Sequence, residues 1–194
     1  IRQEDVVGSG QWVVGSEVEI GNDRDCGVNI RRAGEDLRKG ALALASGSSL
    51  GAAELGVLAS LAVAHPLVYR RPRVAILGGG DEIVDVDQPE EILSGRKVAS
   101  SNTHTLIALI RQTGGIPVNL GLMRDTKESV REHLHRAADC DLLVTTAGIS
   151  VGEHDHLRAV IEELGVVHFW KIRMRPGAPV GFGAVGEVPW IGLP

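Results

Sequence analysis

The apolar positions change rhythm once along the chain, near residue 70. Before it, Val13, Val18 and Ile20, then Val28 and Ile30, then Leu42 and Leu44 alternate loosely with polar residues. Gly/Asn/Asp clusters such as Gly21-Asn22-Asp23 interrupt them, and the pattern predicts short antiparallel strands. Leu55, Leu58, Ala59 and Ala62 follow at i, i+3, i+4 and i+7, predicting a helix that ends at Pro66.

From Arg71 onward the order is strand, glycine loop, helix, repeated. Val74-Ala75-Ile76-Leu77 is a continuous apolar run of the kind buried on both faces of a sheet, and Gly78-Gly79-Gly80 closes it. A helix capped by Ser101 or Asn102 is expected to carry Leu106, Leu109 and Ile110 and to stop at Gly114. A strand over residues 116–120 comes next. Asp125-Thr126-Lys127-Glu128 has the form of a capping box before Val130, Leu134, Ala137 and Ala138. A strand over residues 142–144 runs into Thr145-Thr146-Ala147-Gly148. Leu157, Val160, Ile161 and Leu164 then predict an amphipathic helix closed by Gly165, followed by a strand over residues 166–170. Such alternation implies a three-layer α/β fold around a mostly parallel sheet. The domains are expected at 1–70, a smaller, partly β accessory segment with one helix, and at 71–194.

Composition narrows the function. Twenty Lys+Arg against twenty-five Asp+Glu leave a net charge of −5, and only six residues are Phe, Trp or Tyr. The basic field and stacking platform of a nucleic-acid binder are both missing. Cys26 and Cys140 have no CxxC partner, which argues against a disulfide framework or thiolate zinc and suits a reducing cytoplasm. The longest apolar run, residues 55–64, is too short for a bilayer, so no membrane partner is expected. Glycine is plentiful, 25 of 194 residues, as tight loops require. The ends read as those of a piece of a longer protein, with Ile1 opening a polar-alternating stretch and Pro194 closing an apolar one.

Ligands of open α/β sheets gather beyond the carboxyl ends of the strands. The loops there are Gly78 to Glu82, Arg124-Asp125, Thr146 to Asp155, and Lys171 to Gly177. Were they to converge, Asp81, Glu82, Asp125 and Asp155 would supply hard oxygen ligands suited to Mg²⁺. Lys171, Arg173, Arg175 and the glycine-loop N–H groups would hold an oxyanion. Blander roles compete: Asp125 and Asp155 also suit helix caps, the glycines a tight turn, the cations a solvated rim. His154 and His156 read more readily as exposed loop residues than as metal ligands. No Walker loop or complete GxGxxG exists. Gly148-Ile149-Ser150-Val151-Gly152 fits the G-x-S-x-G form of a serine hydrolase elbow, but the helical period begins only near Asp155, leaving Ser150 in extended chain.

These loops resemble the molybdopterin molybdenumtransferase family, the bacterial MoeA proteins and the gephyrin E domain. Carrying the likeness are Arg32 to Gly40, Arg71-Pro72-Arg73-Val74-Ala75-Ile76 leading to Gly80-Asp81-Glu82-Ile83, and Leu120-Gly121-Leu122-Met123-Arg124-Asp125. Gly148-Ile149-Ser150-Val151-Gly152-Glu153-His154-Asp155 and Phe169-Trp170-Lys171-Ile172-Arg173-Met174-Arg175-Pro176-Gly177 complete it. The resemblance implies a MogA-like molybdopterin-binding domain and a cytoplasmic homodimer that inserts molybdate into adenylylated molybdopterin with Mg²⁺, releasing AMP. It implies catalytic roles for Glu82, Asp125, Asp155, Lys171 and Arg175. Metal binding falls to Asp81, Glu82 and Asp155. Substrate binding falls to Gly79, Gly80, Asp81, Gly148, Ser150, Gly152, Pro176 and Gly177. The chain departs from the family at Gly78 and Gly79, where Ser/Thr-Thr is usual, at Ala147, where glycine is usual, and at Ala178, where lysine is frequent. These departures keep two alternatives open: a non-catalytic molybdopterin-binding scaffold, or a MogA-like enzyme that adenylylates or cleaves pyrophosphate.

Overall fold

The computed structural model describes residues 30–148 and 156–194, together with 6, 7, 17, 19–21, 24 and 26–28. The chain divides into two compact units, Ile1–Leu67 and Val68–Pro194.

In the first unit, an antiparallel bridge joins Val6 to Ile20. The strands expected around residues 28–30 and 42–44 do not form. Turns stand there instead, with Glu35 N–H donating to Arg32 C=O, Ala41 to Arg38 and Ser48 to Ala45. Gly34, Gly40 and Gly47 all take positive φ in these turns, which fold the segment back before it can extend. The helix α1 (Ala52–Ser60) forms as expected, its Glu54 carboxylate accepting from Gly51 N–H at 2.9 Å. It ends at Leu61, with Ala62 at φ 57°, before Pro66 is reached. No residue of α1 is buried.

The second unit holds a six-stranded sheet in the order β4-β1-β5-β8-β7-β6. Its strands are β1 (Arg73–Gly79), β4 (Ile116–Met123), β5 (Leu142–Thr145), β6 (Gly165–Phe169), β7 (Gly181–Val185) and β8 (Val188–Gly192). A two-stranded parallel sheet, β2 (Ile83–Val84) with β3 (Val98–Ala99), precedes β4. The helices are α2 (Pro89–Leu93), α3 (Ser101–Gln112), α4 (Lys127–His135) and α5 (His156–Leu164). Strands β4, β1, β5 and β8 run parallel, while β7 is antiparallel to both its neighbours. The fold is therefore α/β with a mostly parallel sheet.

The β1 run is buried on both faces, as its unbroken apolar sequence requires. Ala75 and Leu77 join the core built with Val130, Leu134, Leu157, Val160 and Ile161 of α4 and α5. Val74 and Ile76 alternate with them and are buried on the opposite face. Right-handed crossovers give the same layering. The step from β1 to β4 runs one way across the sheet and the step from β4 to β5 runs back, so α3 lies on one face and α4 and α5 on the other.

Several boundaries differ from the sequence expectation. Strand β4 runs through Gly121 to Met123, because Gly121 (φ 93°) is a bulge whose N–H donates to Asn119 Oδ1, not a stop. Helix α3 is entered from Ser100. The cap of α4 is Thr126, whose hydroxyl accepts from Ser129 N–H, so the expected Asp125 capping box does not form. The hairpin β7–β8 lies beyond the last element that the sequence pattern predicts, the strand over residues 166–170. Close backbone approach explains two glycines. A Cβ on Gly165 would stand 1.9 Å from Ala184 O, and one on Gly183 would stand 2.1 Å from Val166 O.

Candidate functional site

The strand order places one crevice. Adjacent strands β1 and β5 send their connections to opposite faces of the sheet, β1 to α3 and β5 to α5. Between their carboxyl ends lies the switch point at which open α/β sheets take ligands. A cavity of about 420 Å³ opens there. Gly78-Gly79-Gly80 of β1 and its turn form one wall, and Thr146-Ala147-Gly148 after β5 form another. Ser100, Ser101 and Asn102 bring in the N-terminal turn of α3, while Glu82 and Asp125 supply the carboxylates. Unpaired N–H groups at a helix start favour an anion.

Each wall has a local cause. Gly80 takes φ 114°, and a Cβ there would stand 2.8 Å from Glu82 Oε1, so glycine lets the Glu82 carboxylate lie across the turn. Lys97 Nζ donates to Asp81 C=O at 2.6 Å and fastens the same turn from beside β3. Asp81 does not line the cavity. Its Oδ1 accepts a long bond, 3.4 Å, from Asp125 N–H, tying the turn after β1 to the end of β4. Because Thr126 caps α4, the Asp125 carboxylate is not used for that purpose. Gly148 (φ 73°) lets the second loop pass over Leu157 of α5, where a Cβ would approach within 2.7 Å.

Gly78 and Gly79 have a packing reason. A Cβ on Gly78 would meet Leu122 Cδ2 at 2.6 Å and Thr103 Oγ1 at 3.2 Å. One on Gly79 would meet Met123 Cγ at 2.6 Å and Met123 O at 3.2 Å. Behind Gly78, the buried Ser100 and Thr103 hydroxyls bond each other at 2.7 Å. The sequence pattern favours Ser101 and Asn102 as caps and singles out neither Ser100 nor Lys97. The S-S-N-T run at the head of an amphipathic segment was the available signal.

Of the expected site residues, Gly79, Gly80, Glu82, Asp125 and Gly148 line the cavity. Ser150, Gly152 and Asp155, and the serine-elbow reading with them, lie outside the described residues. Lys171, Arg175, Pro176 and Gly177 do not line it. They follow β6, which runs parallel to β5, so their loop leaves the same edge of the sheet. It does so three strands away, about 14 Å at the usual spacing. Ile172 N–H donates to Ala178 C=O at 3.0 Å and closes the neck of that loop.

Among the described residues no three His, Cys, Asp or Glu side chains gather as metal ligands. Two hard carboxylates lining one cavity nevertheless fit the way Mg²⁺ is commonly held, by one or two carboxylates completed by water and substrate phosphate. Among the described residues no helix is long and apolar enough to cross a membrane.

Known proteins resemble this chain along most of its length. Residues 75–194 match the family described as a probable molybdopterin binding domain, and residues 1–62 match the MoeA N-terminal region (domain I and II). The molybdopterin molybdenumtransferase of Haemophilus influenzae is 38% identical over 167 residues, 86% of this chain and 41% of that protein. Gephyrin of Dictyostelium discoideum is 28% identical, over 82% of this chain and 24% of its own length. The crystal structure of the molybdopterin biosynthesis MoeA protein from Pyrococcus horikoshii superposes with a TM-score of 0.74 at 31% identity, covering 100% of this chain and 46% of that one. This chain thus spans about two fifths of the molybdenumtransferase it matches. With the α/β unit, its switch-point cavity and both family matches in agreement, the chain belongs to the MoeA and gephyrin-like family of molybdenum cofactor biosynthesis.

Proposed function

We propose that the protein carrying this chain inserts molybdenum into adenylylated molybdopterin, acting with Mg²⁺ as a cytoplasmic homodimer and releasing AMP. Residues 71–194 form its molybdopterin-binding domain in this reading, and residues 1–70 belong to accessory domains. The supporting observation is the switch-point cavity, which joins two glycine-lined backbone walls and a helix start to the carboxylates of Glu82 and Asp125.

The chemistry follows from the lining. The N–H groups of Ala147 and Gly148 and the start of α3 bind the substrate's phosphate oxygens and fix the phosphoanhydride beside Glu82 and Asp125. Mg²⁺ held by Glu82 and Asp125, with Asp155 as a third ligand, would offset charge on the phosphoanhydride as AMP leaves. Asp81 acts on Asp125 by holding its backbone N–H. Lys171 and Arg175, on the loop three strands away at the same end of the sheet, attract molybdate and hold its oxygens.

Molybdate-dependent AMP release by the whole protein tests this. Glu82→Gln and Lys171→Ala should each lower it about 100-fold or more, the scale of losing one preorganised electrostatic group. Wild-type turnover in both variants would refute the assignment. A second reading, a molybdopterin-binding scaffold, draws on the closure of Gly78 and Gly79 by Leu122 and Met123. It predicts tight pterin binding in calorimetry without molybdate-dependent turnover.

A further inference from the structure

We propose that Trp170 and Trp190 form a positioning device that fixes the cationic loop to the flanks of the glycine loop. Trp190 is fully buried in β8, and its Nε1–H donates to the buried Oγ1 of Thr145 at 3.1 Å. Thr145 is the last residue of β5, immediately before the cavity wall at Thr146. The Trp170 ring stacks on Trp190 with centroids 5.5 Å apart and planes 28° from parallel. On Trp170 also lies the guanidinium of Arg158, 5.4 Å from the ring centroid, in the first turn of α5. One aromatic pair thus touches the residue that ends β5 and the helix that opens after the glycine loop, and one of its members is the residue just before Lys171.

The sequence makes room for this pair. A Cβ on Gly181 would lie 2.3 Å from Trp190 Cη2, so a glycine on the adjoining strand gives the indole its place. A smaller aromatic would leave part of that space empty and would have no N–H to reach Thr145. Lys171, Arg173 and Arg175 are all exposed, and the loop's neck bond, Ile172 to Ala178, closes the loop on itself without fixing where it stands. Anchorage to β5 comes through Trp170. Trp170 and Trp190 are positioning residues, since neither lines the cavity.

The reaction this loop serves rests on the proposed function; the anchoring itself does not. Native-state trypsin digestion of the whole protein therefore provides an activity-independent readout, with Lys171 and Arg173 as cleavable sites inside the loop. In Trp170→Leu, cleavage there should rise about tenfold, as local opening becomes easier, while cleavage at Arg96 stays constant. Trp170→Phe should restore most of the protection. Thr145→Val, which removes the acceptor of the Trp190 bond at nearly unchanged volume, should raise the KM for molybdate several-fold while kcat and the pterin KM change less than twofold. Should Trp170→Leu not fold, Arg158→Ala removes the outer contact and should raise loop cleavage about threefold. Unchanged loop cleavage in folded Trp170→Leu, or in Arg158→Ala where that variant stands in, overturns the proposal. A wild-type protein that lacks molybdate turnover but shows the cleavage pattern refutes the proposed function and leaves the anchoring supported.

Discussion

Gly78 and Gly79 end β1 against Leu122 and Met123 with no space for a side chain on either. A hydroxyl-bearing residue at position 79 would force Met123 aside and press on its carbonyl. Gly79→Thr should lose about 1–3 kcal/mol in urea unfolding, the usual cost of overpacking, and Met123→Ala in the same chain should return part of it. A second residue-scale case is Asp141. Its carboxylate accepts from the Arg70 guanidinium and from Arg73 N–H, and these bonds, the Arg70 bond foremost, hold it down to about 2. A depressed carboxyl stabilises the fold above its unfolded value and stops doing so as pH falls through the folded one. Wild type should therefore exceed Asp141→Asn by a constant margin above about pH 5. The margin should shrink as pH falls toward 2, which acid titration of the unfolding midpoint would show.

At the scale of elements, the end of β4 separates two roles that the sequence left together. Asp125 and Thr126 are adjacent and both suit a cap, and the D-x-x-E spacing favoured Asp125. Geometry chose Thr126, whose hydroxyl reaches Ser129 N–H. Thr126→Ala should cost about 1 kcal/mol of stability. Asp125→Asn should leave the melting curve nearly unchanged while lowering molybdate-dependent AMP release, and paired melts and assays distinguish the two. Elements with a strong period were legible: β1 as an apolar run stopped by glycines, and α5 from Leu157, Val160 and Ile161, all buried. What escaped was set by contacts distant in sequence. Glycines at 181 and 183 look like loop until Trp190 and the Val166 carbonyl are seen pressed against them. The loose alternation before residue 50 predicted strands, yet a strand needs a partner to pair with. Val28, Ile30 and Leu42 stand exposed around turns. Within the site, the glycine walls, Glu82 and Asp125 could be read from the loops alone. Ser100 and Lys97 could not, because only the fold of β2 and β3 brings them to the cavity's edge.

For the whole molecule, the second unit contains its own core. Every member of the main hydrophobic cluster, from Ala75 to Trp190, falls within Val68–Pro194. The first unit's helix α1 buries none of its residues, so its apolar positions contribute no comparable interior. Burial of apolar surface is the main favourable term in folding, and a unit that supplies it internally should fold without the rest. Residues 68–194 expressed alone should therefore unfold in one cooperative urea transition. Fluorescence, which reports the stacked Trp170 and Trp190, and far-ultraviolet circular dichroism, which reports the helices, should give the same midpoint. If the fragment 68–194 instead exposes its indoles and melts without cooperativity, the sheet depends on the first unit, and the switch-point cavity with it.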